Sequence, residues 1–72
     1  MDRRSELLQR LAEVEQKLAD DERDISRQLK IIELLVRRRR DTAHARMLLA
    51  NFEAARRLHK VVRSQLLQEL DD

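Results

Sequence analysis

Apolar positions in the first half of the chain advance mostly by three and four residues. Leu7, Leu11, Val14, Leu18, Ile25, Leu29, Ile32, Leu35 and Val36 form one stripe with a single step of seven, which is the period of an amphipathic α-helix. Set out as heptads, Leu11, Leu18, Ile25 and Ile32 share one seam position. Leu7, Val14, Asp21, Gln28 and Leu35 share its companion, so two polar residues interrupt the seam at mid-helix. The second half carries a similar stripe through Ala45, Leu48, Leu49, Phe52, Ala55, Val62, Leu66 and Leu70, with His59 on the same face.

Helix propensity alone would let the halves run on as one rod, because the arginines between them are good helix formers. Phase argues against it. At about 100° per residue, the stripe through Ile25 and Val36 and the stripe through Ala45 and Phe52 would point roughly 175° apart on a continuous helix. Folding the chain back near Arg38–Thr42 lets both stripes meet on one seam. Asp41 or Thr42 suits the N-cap of a second helix, and Arg37–Arg40 complement the negative end of the first. No glycine is present for the left-handed C-cap that such a bend usually uses. The expected fold is all-α: an antiparallel two-helix hairpin, coiled-coil-like, spanning 1–72 as a single domain. Its expected parts are a helix over about 3–37, a bend at about 38–42 and a helix over about 42–70.

Composition sharpens this picture. Glycine, proline and cysteine are absent and Phe52 is the sole aromatic residue, so turns, strands and disulfides lose their usual residues. Charged and hydrophobic residues each make up 42%, too apolar a mixture for a solvated disordered tail. No apolar run is long enough to span a bilayer, and the basic start lacks the core of a signal peptide. A soluble, cytoplasmic protein is the expectation. Acid-first pairs at four-residue spacing, Glu6–Arg10, Glu13–Lys17, Glu33–Arg37 and Glu53–Arg57, favour the helices further. At 72 residues a lone hairpin core contributes little stability, and small chains without disulfides often complete the core by oligomerising. Leu8, Met47, Leu58, Val61 and Leu67 fall beside or beyond the seam. They point to a homo-oligomer, a dimer forming a four-helix bundle being the simplest.

Charge is laid out by segment. Residues 1–24, 25–60 and 61–72 sum to −3, +7 and −2, within a net charge of +2. A hairpin gathers the basic segment at the bend and the acidic ones at the termini. Two hairpins packed head to tail would then match opposite poles, and salt should weaken them.

Candidate chemistry is sparse. Folding about residue 40 puts Asp21 and Glu22 opposite His59 and Lys60. His59 then either bonds Asp21 or Glu22 across the seam, with Arg56 or Arg63 nearby, or turns outward into solvent. Arg37, Arg38, Arg39 and Arg40, extended by Arg46, could contact phosphates of nucleic acid or an anionic surface. Without stacking aromatics or a helix-turn-helix pattern, a solvated helix end is the plainer reading. Ser5, Ser26 and Ser64 have no His and acid partners at useful spacing, and no glycine-rich loop could cradle a nucleotide. His44 and Asp41 are too few for a helical metal site. The expectation is therefore no enzyme, no cofactor and no metal.

The segments RRSELLQRLAEVEQ, ISRQ and DTAHARMLLANFEAARRLH resemble a family of short, uncharacterised proteobacterial helical proteins, over Arg3 to about Leu70. The resemblance implies a small two-helix hairpin and brings no activity, cofactor or site. Such proteins carry glycine and acidic residues near the bend, where this chain has Arg37–Arg40. The expected function is a structural or protein–protein interaction module that self-associates and docks on a protein partner. The alternative is nucleic-acid or anionic-surface binding through the basic bend.

Overall fold

A computed structural model describes Asp2–Asp72 as two helices, α1 (Arg3–Arg37) and α2 (Ala43–Asp71), packed against each other along their length. The hairpin measures 55 × 15 × 14 Å. Its long axis matches a straight helix of 35 residues, about 52 Å at 1.5 Å per residue. Among the described residues no helix is long and apolar enough to cross a membrane.

Asp2 caps α1: its carboxylate accepts the Ser5 backbone N–H at 2.7 Å, satisfying one of the donors that a helix start leaves unpaired. That donated hydrogen bond, chiefly, holds the Asp2 carboxyl below its usual value of 3.8. At the other end the chain turns through a full Schellman motif. Arg40 N–H donates to the Leu35 carbonyl at 2.9 Å and Arg39 N–H to the Val36 carbonyl at 3.0 Å. Arg39 occupies the left-handed region at φ 55°, the position where glycine is usually found. An arginine thus performs the reversal that the sequence supplies no glycine for.

α2 starts on two adjacent residues. Asp41 accepts the Ala43 N–H at 2.9 Å, whereas the N-cap residue Thr42 makes no side-chain cap bond and its hydroxyl accepts from Arg46 Nε instead, at 2.9 Å.

The seam of α1 consists of Leu7, Val14, Leu18, Asp21, Ile25, Gln28 and Ile32, all buried. Their spacing of seven, then alternating fours and threes, is that of a coiled-coil seam. On α2 only Ala45 and Leu66 are buried, and the rest of its stripe, Phe52 and Val62 included, is half-buried. Leu7, Val14 and Leu66 form an apolar cluster near the termini, flanked by Leu11, Val62 and Leu70. Two residues of the expected α1 stripe are corrected. Leu29 is 51% exposed and Val36 54% exposed, so neither joins the buried seam. The strict seven-residue repeat seats Gln28 and Ile32 in the seam. Leu29 and Val36 lie one position round, on the flank, apolar though they are.

Candidate interaction surfaces

Three features stand out against the helical background: a polar layer in the seam, a basic bend and a large apolar exterior. The polar layer is built where the α1 stripe lacks apolar residues. His59 Nδ1 and Asp21 Oδ2 are 2.5 Å apart, with Asp21 buried and His59 half-buried. Beside them Arg56 Nη1 reaches both carboxylate oxygens of Glu22, at 3.2 and 3.4 Å. Histidine and arginine thus divide the two acids between them, one inside the seam and one at its edge. Arg63, half-buried on the same helix, is in no ion pair among the described residues.

A second polar contact went unforeseen. Gln28 is buried, and its side-chain amide donates to the Ala45 carbonyl at 2.9 Å. That bond ties mid-α1 to the first turn of α2, where the small Ala45 lets the glutamine approach. The only signal in the sequence was a polar residue at a heptad core position; counting about residue 40 sets Gln28 against Phe52, not Ala45.

At the bend, the five candidate arginines do not act alike. Arg37 is held by Glu33 at 2.7 Å, and the Arg46 guanidinium is turned onto Thr42. Arg38, Arg39 and Arg40 are exposed and enter no ion pair among the described residues. The structure therefore presents three free guanidiniums at one tip. Of the four acid-first pairs, Glu33–Arg37 is the one that closes among the described residues. Long exposed side chains gain little from being fixed in one geometry.

The chemistry of the remaining surface is mixed. A groove beside the seam is lined by the polar residues Arg10, Glu13, Lys17, His59, Gln65 and Glu69 together with Val14, Val62 and Leu66. Both charge signs alternate along it, so it selects no class of small ligand. Ser5, Ser26, Ser64 and His44 are all exposed, and the Asp41 carboxylate is occupied by the Ala43 N–H.

The apolar exterior is the largest feature. Leu8, Leu29, Ile31, Leu34, Val36, Met47, Leu58, Val61 and Leu67 are each between 40% and 62% exposed. The hairpin leaves 5779 Å² accessible, where size scaling gives roughly 4,700 Å² for a compact monomer of this mass. The excess is what a rod of two helices must show, having no third layer.

No family model, curated protein or solved structure matches this chain. What it does is therefore read from its own residues.

Proposed function

We propose that this chain is a structural and protein–protein interaction module that self-associates, two hairpins completing a four-helix bundle. One observation carries the reading. The exposed large hydrophobics outnumber the apolar side chains buried in the hairpin's own core. Surface of that kind is covered, as a rule, by another protein surface. The buried Asp21–His59 contact acts within the hairpin, where it favours one register of α1 against α2 over its neighbours. The reading is one of binding, with no reaction assigned. Light scattering coupled to size exclusion tests it: a mass of two chains supports self-association, and one chain at every concentration contradicts it.

The basic tip favours a second reading. Three unpaired guanidiniums, Arg38, Arg39 and Arg40, with Arg37 and Arg46 behind them, can approach a phosphate-bearing surface. Filter binding of duplex DNA or RNA at low and physiological salt tests it. Binding that falls steeply with salt, and is lost when Arg38–Arg40 become glutamine, supports that role. Binding indifferent to the arginines excludes it.

A further inference from the structure

Once the seam is assigned, α2 shows a second stripe running the length of the helix. Positions 44, 47, 51, 54, 58, 61, 65 and 68 follow alternating steps of three and four, and every one is exposed. None is Asp, Glu, Lys or Arg, in a chain in which those residues make up 42%. Ala54 and Leu58 form its centre, flanked by Asn51 and Val61, with Met47 one step further out. The corresponding flank of α1 provides the contrast. Its eight consecutive positions of the same stepping, from Arg3 through Arg10, Lys17 and Asp24 to Arg27, are charged without exception. Charge has been kept off one flank of the hairpin and concentrated on the neighbouring one. A helix face bound for solvent has no reason to avoid charge; a face bound for another helix does.

We propose that this charge-free flank of α2 is the contact between two copies of the chain, α2 against α2, antiparallel about a twofold axis. The proposal rests on the self-association read above and assigns its face and direction. Geometry puts the flank roughly 130° round α2 from the α1-facing seam, so one helix serves both contacts at once. A twofold interface must be complementary to itself. The alternating step pattern reads the same in both directions, so an antiparallel copy meshes with it. With the axis at residue 56, Leu58 of each copy lies level with the partner's Ala54, large against small.

Direction follows from charge. α2 begins beside Arg37–Arg40 and ends in Glu69, Asp71 and Asp72. In the antiparallel register Glu69 comes level with the partner's Ala43, which opens α2 just after the basic bend, and the helix dipoles also oppose. A parallel pair would stack the two basic bends on each other. Ile31 and Leu34, where the charged flank of α1 turns apolar near the bend, widen the contact at each end. Leu8 and Leu67 belong to the opposite side of the hairpin and take no part.

Sedimentation of three purified chains tests this, with circular dichroism to verify that each stays helical. The unaltered chain is expected at twice its 8.6 kDa, L58E/V61E at one chain mass with its helicity kept, and L8E/L67E still at two. All four substituted positions are exposed, so glutamate there leaves the hairpin's own core intact. A monomeric unaltered chain overturns self-association itself. A dimer split by L8E/L67E and spared by L58E/V61E overturns the face alone. A spin label on the single cysteine of Q68C reads the direction. Antiparallel copies hold the two labels at least about 36 Å apart along the axis, whereas a separation under about 20 Å between them means parallel copies and overturns the arrangement.

Discussion

Arg39→Gly is expected to make this protein more stable, although it deletes a long charged side chain. Arg39 sits at φ 55°, where an L-residue with a Cβ pays about 1–2 kcal/mol and glycine does not. Glycine also loses more conformational entropy on folding, about 0.5–1 kcal/mol, so the net gain is about 0.5–1 kcal/mol. Two electrostatic changes nearly cancel: a cation is removed from the negative end of α1, and repulsion among the neighbouring arginines is relieved. For a chain of 72 residues that gain raises Tm by about 3–6 °C. The assay is thermal unfolding followed by circular dichroism, at one fixed protein concentration so that association does not move the midpoint. Two controls isolate the backbone contribution. Arg39→Ala removes the same charge and keeps the left-handed cost, so it should melt close to the unaltered chain. Arg38→Gly, at φ −89°, should melt lower. If Arg39→Gly melts no higher than Arg39→Ala, backbone strain at the bend is not what distinguishes residue 39.

The polar layer gives a second expectation. His59→Leu leaves the buried Asp21 without its partner and should cost about 1–3 kcal/mol, below the range for a fully buried pair because His59 is partly open to water. Asp21→Leu/His59→Leu should recover most of that loss, and additive losses in urea titrations would show that the two groups do not act as a pair. A third concerns pH. The Asp2 carboxyl is held low by the Ser5 N–H, so its capping contribution is whole above the usual value near 3.8 and disappears as pH falls through the lowered one. The Ser5 amide resonance should shift across that window and not in Asp2→Asn; an unchanged Ser5 signal in the native chain rules the cap out. Finally, raising NaCl from about 0.05 to 0.5 M should weaken the proposed dimer. An association constant that stays flat or rises removes charge matching as the orienting force.

How much of this could be read from the sequence depends on the kind of signal. The Leu18, Ile25 and Ile32 seam was legible because apolar residues recur every seven positions, and the reversal near residue 40 because the two stripes are out of phase. Counting back from that reversal sets His59 against Asp21 and Glu22. In the structure His59 meets Asp21, and Arg56 takes Glu22. Leu29 and Val36 misled because hydrophobicity suggested burial, whereas heptad position decided it. Gln28 looked like a gap in the stripe, and its bond to the Ala45 carbonyl depends on how closely the backbone passes, which no pattern of side chains reports. The left-handed Arg39 left no trace in the sequence, since arginine at a bend is ordinary and only the hydrogen-bonding demands of Leu35 and Val36 reveal its role. The charge-free flank of α2 was present throughout as eight uncharged residues, and became recognisable once the seam fixed which positions face outward.

The chain's return on itself is the claim on which the surfaces, the polar layer and the proposed dimer all depend. Spin labels at K17C and Q65C, on either side of the groove beside the seam, measure it directly when the labelled chain is diluted into an excess of unlabelled protein. Within one folded-back chain the labels should lie about 10–20 Å apart, given packed helix axes at 8–10 Å. A straight helix through the arginines would separate them by about 72 Å, and a distance of that order would contradict the hairpin.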